Sequence, residues 1–410
     1  MSECAQESGA LMTEPRTPRT PRTARTPGTP RPPGTPRPPA LPRRRTPRGV
    51  RVRKVLPAVL LPLLATALLL TGVVLWQHSY DLHEERVTVP AAGHDLPGVL
   101  ATPVGRGPGP FPLVVFVHGD GEVDATHDGF YRPYWEAFAR AGYASLSLDK
   151  PADWLGQTMD DRARETIDVL AWAARTRPEI DAARIGLWGA SQAGWVMPKV
   201  VAQAPDPGVR FVIAVGTAVN WERQGEYHLR ALLRADGAGA ERTVAALRTR
   251  EATLALLRRG ATYEEYRASA GADPELTADR WTFISRNHTA DATADLRAMR
   301  DKGATGALGA TGATVAAGAV PVLLISGADD LNVDGTETEA VYRSLLAPGT
   351  LTVRRYPGAT HALLRTPVER SSWRLTLTAV FAPRALFPPG LLADQRRFLE
   401  ELPGERAGAG

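Results

Sequence analysis

Short, nearly continuous apolar runs recur along most of the chain, separated by stretches whose apolar positions repeat at helical spacing. Residues 111–117 are the clearest run, and it breaks directly into His118-Gly119-Asp120-Gly121. A run with no polar alternation predicts a strand buried on both faces. Residues 143–148, 184–187, 209–215, 320–326 and 351–356 predict further strands, and 85–89 and 96–102 predict two more upstream, the first at a sheet edge. Between them, 131–142 places Tyr134, Phe138 and Ala141 on one helical face, and 159–175 is amphipathic. This alternation predicts an α/β fold, a mostly parallel sheet with helices on both faces.

Two stretches depart from the alternation. Residues 217–319 separate two expected neighbouring strands, where a crossover needs only about a dozen residues or slightly more. Val244, Leu247, Leu254 and Leu257 recur at 3 and 7 there, and Trp221, Tyr227 and Leu232 add bulk, so a helical cap insert is expected. Its last part, 302–318, is rich in Gly, Ala and Thr and reads as a flexible connection. The other departure is 55–76, which carries no charge. At about 1.5 Å per residue an unbroken helix of that length reaches about 33 Å, enough to cross a bilayer. Pro57 and Pro62 fall in its first half, a feature that membrane helices tolerate. Arg51, Arg53 and Lys54 precede the run and Asp81, Glu84 and Glu85 follow it, so the positive-inside bias places the N-terminus in the cytoplasm and the larger part outside. A cleaved secretion signal is the competing reading. The apolar run is too long for one, and the Ala-x-Ala that goes with it, at 65–67, lies inside the run instead of after it.

Charge sharpens the division. Residues 1–54 hold 13 Lys and Arg against 3 acids, while the rest of the chain carries 36 against 41. The net charge of +5 is therefore a property of the N-terminal arm, and no specific nucleic-acid partner is expected. Residues 15–47 are almost entirely Pro, Arg, Thr and Gly, a composition that cannot bury a core and predicts a disordered arm. The domain plan is an arm over 1–54, a transmembrane helix over 55–76, a linker over 77–84, a core over 85–216 and 320–402 interrupted by the cap, and a disordered tail over 403–410. The 43% hydrophobic content of 410 residues suffices for one large core. Cys4 is the single cysteine, so no intrachain disulfide can form. Asn287-His288-Thr289 is formally a glycosylation sequon.

The chemistry centres on Gly189-Ala190-Ser191-Gln192-Ala193, where an apolar run turns sharply on small residues. Such a turn between strand and helix forces its serine into a strained, exposed position at the C-terminal edge of a sheet. The N–H of Gln192, at the start of the following helix, and that of Asp120, in the loop after 111–117, are expected to form an oxyanion site. A carboxylate at Asp120 would oppose a developing anion unless its side chain turns away. His118, beside it, reads as shaping the loop. Downstream, Asp329-Asp330 and His361 each follow a predicted strand, in the chain order Ser, Asp, His.

These residues resemble the α/β-hydrolase superfamily, and within it the branch of dienelactone hydrolases, bile-acid thioesterases and prolyl-oligopeptidase catalytic domains, over roughly 87–402. The resemblance implies an α/β-hydrolase fold with a capped pocket. It identifies Asp330 rather than Asp329 as the acid, since Gly327, Asp330 and Val333 match the family's spacing, and it places His361 after a Pro-Gly-Ala turn. The usual motif has Gly where Ala193 stands. What it implies chemically is a serine hydrolase: His361 deprotonates Ser191, Asp330 holds the ring's other nitrogen, and an acyl-enzyme is hydrolysed by water. The expected substrate is a small acyl compound, foremost a carboxylic ester. A peptidase acting on short peptides and a non-catalytic binding protein with a relic site are the alternatives. No clustered His/Cys spacing or Gly-rich phosphate loop is present, so neither metal nor cofactor is expected. Beyond the acyl substrate the expected partner is the lipid bilayer, through 55–76, and the sequence leaves the oligomeric state open.

Overall fold

The computed structural model describes residues 52–206, 208–305 and 319–403. The basic arm with Cys4, the greater part of the 302–318 connection and the tail from 404 lie outside the described residues. The chain divides into two compact units, one ending at Trp76 and the other beginning at Gln77.

Helix α1 spans Val52–Gln77, all but its last residue in the first unit, and contains the whole of the expected 55–76 run as helix. Its side chains are described from Leu61 on, and among the described residues no helix is long and apolar enough to cross a membrane. At about 1.5 Å per residue, 61–77 falls short of a hydrocarbon core about 30 Å thick. Leu61, Leu68, Leu75 and Trp76 are nonetheless all largely exposed.

The second unit is built on an eight-stranded sheet. Its strands are β1 (Leu82–Ala91), β2 (His94–Pro103), β3 (Phe111–Val117), β4 (Ala144–Leu148), β5 (Ile180–Ala190), β6 (Val212–Val215), β7 (Val322–Gly327) and β8 (Leu351–Tyr356), in the spatial order β1-β2-β4-β3-β5-β6-β7-β8. β1 and β2 pair antiparallel with each other and β2 pairs antiparallel with β4; every other pairing is parallel. This is the mostly parallel sheet that the alternation predicts, in the α/β-hydrolase-like form that the resemblance implies.

The buried runs divide between two faces because strand side chains alternate. Leu113, Val115 and Val117 join one core with α3 (Met159–Thr176) and α4 (Met197–Gln203), helices that follow α2 (Arg132–Arg140) in the chain. Val114 and Phe116 join the other, where Phe116 stacks on Trp188 with ring centroids 4.7 Å apart. Trp135 and Trp188 are almost fully enclosed there, so this face is closed by aromatic packing.

Three expectations need correction at their edges. The edge strand starts at Leu82, three residues earlier than predicted, and it forms a tight hairpin with β2 through Ala92 (φ 49°) and Gly93 (φ 84°). Two successive positive φ values make a turn whose twist matches paired strands, a conformation that Ala disguises in the sequence. Residues 77–80 are not a free linker, because the Arg384 guanidinium donates to the carbonyls of Gln77 (2.7 Å) and Ser79 (3.0 Å). The sequon cannot be used in this fold: Asn287 is buried, with its amide donating to the carbonyls of Gln157 and Phe283.

The insert is helical: α5 (Trp221–Ala235), α6 (Ala240–Arg258), α7 (Tyr263–Arg267), α8 (Ala278–Asn287) and α9 (Thr293–Thr305). Leu254 and Leu257 form a small separate core with Tyr266, Trp281 and Ile284, whereas Val244 faces solvent. α9 packs back on the sheet's own core through Leu296 and Met299. Its start is fastened to α4 by Lys199, which reaches Asp295 at 3.1 Å. The chain then continues through α10 (Gly335–Leu345), α11 (Thr366–Glu369), α12 (Ser372–Phe381) and α13 (Leu391–Glu401).

Ala92 occupies a left-handed conformation that Asn adopts with less strain and that precedes a glycine already suited to it. Ala92→Asn is expected to raise stability by about 1 kcal/mol, read as a higher midpoint in denaturant titration at unchanged slope.

Candidate active site

β5 ends at Ala190, and the next residue, Ser191, has φ +51°. A non-glycine residue there is strained by about 1–3 kcal/mol, and the surrounding structure must hold it. The chain continues as a 3₁₀ turn over Ser191–Trp195 before α4 begins, a tighter start than the α-helix expected. The loop after β3 lies directly against this turn: a Cβ on Gly119 would stand 3.4 Å from that of Ser191.

His361 and Asp330 meet on the neighbouring strand ends. His361 Nδ1 lies 2.8 Å from Asp330 Oδ2, which makes that nitrogen the protonated one and leaves Nε2 as the basic lone pair. The other carboxylate oxygen accepts from the N–H groups of Asn332 (2.7 Å) and Val333 (2.9 Å), so the acid's orientation is set from both sides. Asp329 turns elsewhere and accepts from the Thr366 hydroxyl at 2.6 Å. The His361 ring packs over the end of β6, 3.4 Å from where a Cβ on Gly216 would be. β6 is the parallel neighbour of β5, with Ala190 opposite Val215, so Ser191 and the ring occupy adjacent strand ends. Among the described residues the Ser191 hydroxyl makes no hydrogen bond to the ring. Catalytic hydrogen bonds are commonly formed only when substrate is in place.

The cap contributes more than a wall. Three side chains of α5 grip the backbone that carries the acid: Tyr227 donates to the Asp330 carbonyl (2.9 Å), His228 Nδ1 to that of Leu331 (2.9 Å) and Gln224 to that of Asn332 (3.0 Å). From α8, Arg280 forms a bidentate ion pair with Asp120, one bond measuring 2.8 Å. Burial alone would raise the Asp120 carboxyl, but the Arg280 charge and its hydrogen bonds outweigh this and hold it at about 2. The carboxylate thus turns toward Arg280, while the Asp120 N–H has no acceptor among the described residues.

Neither Arg280 nor Arg162 was legible as part of the site, since each comes from a distant helix. Arg162, on α3, is buried and donates to the Gln192 side-chain carbonyl and to the His118 backbone carbonyl (2.6 Å). Lys150 draws the same loop tight by donating to the Gly119 carbonyl at 2.7 Å. His118 is buried, contacts the Leu148 carbonyl and the Tyr131 hydroxyl, and is depressed to about 3, chiefly by burial. A ring held neutral and doubly engaged shapes the loop.

Ser191, Gln192, Asp120, Arg250 and Arg280 line one cleft, closed on its cap side by Leu254, Leu257, Phe283 and Ile284. Asp120 is the one carboxylate among its described lining residues, and it is already paired. Among the described residues no group of three or more His, Cys, Asp or Glu could hold a metal ion.

Gly327 closes β7 where the backbone of the histidine loop crosses it, and a Cβ there would collide with the carbonyl oxygens of Ala359 and Thr360. Gly327→Ala is therefore expected to lower the melting temperature and displace His361, detectable as a lower kcat on any substrate found. Burial lowers the His361 pKa, but the charge of Asp330 and the hydrogen bond to it prevail, so the net shift is upward. A base must be neutral to act, so kcat/KM is expected to rise with pH through a value above the ordinary histidine range, near 6.5. Asp330→Asn should move that limb to lower pH and cut kcat by about 10⁴. The stability held in the protonated pair is complete below the unfolded-state value and is lost as pH rises through the folded one, so the same variant flattens the pH dependence of stability across that window.

With this geometry in view, the chain can be placed among known proteins. No curated protein matches it. Solved structures similar to it include a dienelactone hydrolase from Anabaena variabilis (15% identity, 79% of this chain and 97% of that one, TM-score 0.43). An esterase from Pyrobaculum calidifontis (17%, 82% and 90%, 0.44) and Est1E from Butyrivibrio proteoclasticus (15%, 72% and 96%, 0.42) are similar to a like degree. The family that matches, over residues 61–361, is described as X-Pro dipeptidyl-peptidase (S15 family). That match runs through the β5 turn, the acid loop and the cap as far as the histidine, and the chain accordingly belongs to the S15 peptidase family, a clade of the α/β-hydrolases.

Proposed function

We propose that the protein is a serine hydrolase that cleaves carboxylic esters or related acyl groups through Ser191, Asp330 and His361. The observation that carries this reading is the His361–Asp330 pair at 2.8 Å, seated on the strand end next to a serine held at positive φ. His361 Nε2 takes the Ser191 proton during attack on the acyl carbon, and Asp330 stabilises the imidazolium that results. The N–H groups of Gln192 and Asp120 bind the oxyanion. The leaving group departs with the proton from His361, and water then releases the acid from Ser191.

Ester over aminopeptide rests on the charge of the cleft. A free N-terminal ammonium needs an uncommitted carboxylate, and Asp120 is neutralised by Arg280 while Arg250 adds a second cation to the lining. Desolvating an ammonium beside a neutralised carboxylate and the Arg250 guanidinium is costly, so a neutral or anionic acyl group suits this wall better. The family description supports the second reading, a peptidase acting on short peptides.

The same proposal extends to the location. Over 61–75 the leucines of α1 are exposed on every side of the helix, as in a helix solvated by lipid. Residues 55–76 would then anchor the protein as a single-pass helix, with the arm of 1–54 in the cytoplasm and the hydrolase outside.

The decisive experiment is a substrate panel run on wild type and Ser191→Ala. Short-chain aryl esters should be turned over faster than aminoacyl arylamides, fluorophosphonate should label only the wild type, and Ser191→Ala should lower kcat by about 10³-fold or more. Arylamide turnover exceeding ester turnover would establish the peptidase reading; wild type that neither labels nor turns over either class would leave a binding protein.

A further inference from the structure

α12 turns three of its large apolar residues outward to solvent. None of its ten residues is buried, and Trp373, Leu377 and Val380 are 63%, 49% and 39% exposed. Their spacing of four and three puts them on one face. Leu375 and Ala379, on the other face, rest against the aromatic core and hold the helix in place. Arg370 and Arg374 are exposed beside the stripe, with the Arg374 guanidinium 5.3 Å from the Trp373 ring centre.

A second, independent feature lies at the C-terminal end of this helix. Residues 77–80 follow directly on Trp76, the last residue of the apolar run, and they are clasped to it. His78 Nε2 lies 3.0 Å from the Val380 carbonyl. Arg384 donates to the carbonyls of Gln77 and Ser79, covers the Tyr80 ring at 4.4 Å, and is held in turn by the buried Glu136 carboxylate at 2.8 and 3.0 Å. One residue of chain spans at most about 3.6 Å. Wherever the apolar run leaves a bilayer, the clasp therefore keeps Val380 within a few residues' reach of that point.

We infer that α12 is a membrane-docking helix, a conclusion that rests on the anchor reading above. It lies in the plane of the bilayer surface, with Trp373, Leu377 and Val380 in the boundary between head groups and acyl chains and with Arg370 and Arg374 on phospholipid phosphates. A helix of ten residues is about 15 Å long, so the stripe extends the contact well away from the tether. Tryptophan is suited to this depth, and arginine beside it to anionic head groups. The tether alone would leave the hydrolase free to swivel, whereas tether and stripe together fix its pose on the membrane.

The test uses the full chain carrying Trp76→Phe, reconstituted in phosphatidylcholine–phosphatidylglycerol vesicles whose acyl chains are brominated near the head group. Flotation after alkaline carbonate reports the anchor. Bromolipid quenching that disappears on adding Trp373→Phe reports the docking, and a Trp373→Ser/Leu377→Ser/Val380→Ser variant should still float and retain ester turnover. Flotation together with Trp373-dependent quenching is the expected result. Flotation without that quenching overturns the docking and leaves the anchor standing, whereas a chain that stays in the supernatant overturns both. A dimer in detergent that shields Trp373 from aqueous quenchers would assign the stripe to a second copy of the chain and likewise overturn the proposal.

Discussion

The site depends on holding one residue where it does not rest naturally. Ser191 at φ +51° is tolerated because the packing around it leaves no relaxed alternative. Ala193 is fully buried and its methyl fills the space beside Gly189, where a Cβ would lie only 2.6 Å from it. On the other side Gly194 lets the turn approach the Ala218 carbonyl, 2.6 Å from where its own Cβ would be. The departure from the usual Gly-x-Ser-x-Gly is thus compensated on the preceding strand. Ala at 193 and Gly at 189 form one packing unit, and the extra methyl becomes part of what holds the serine in place.

Charge performs the corresponding task for the loop after β3. A lone carboxylate at residue 120 would be unfavourable beside a developing anion, and the fold neutralises it with Arg280 instead of excluding it. Arg162 and Lys150 act on the backbone carbonyls of the same loop, so three cations from three different elements converge on a few residues. Carbonyls drawn toward buried cations leave the loop's N–H groups directed the other way. The electrostatic cost of enclosing Asp120 and Arg280 is offset by their mutual pairing, and that of Arg162 and Lys150 by the carbonyl oxygens they donate to.

What could be read from the chain beforehand was whatever is local. The apolar run of β3, the small residues around Ser191, and the spacing from Gly327 to Asp330 to Val333 are each written within a few residues, and the structure places Asp330 against His361 and turns Asp329 away. Contacts across long separations left no such mark. Arg280 and Asp120 are 160 residues apart, and nothing in the composition around either distinguishes that pair from a solvated one. The hairpin at Ala92-Gly93 escaped because alanine is not a turn signal, and Val244 was misjudged because helical spacing identifies a face without saying which side it turns to the protein. The membrane run was legible as composition.

The grip of α5 on the acid loop has a consequence for how this branch of the fold could have been assembled. Tyr227, His228 and Gln224 bond to three successive carbonyls at 330–332, so the inserted helices are part of the scaffold that sets the acid's position. An ancestor lacking the insert would have needed another means of satisfying those three acceptors. Trimming the insert to reach a minimal hydrolase would therefore strip the acid of its bracing.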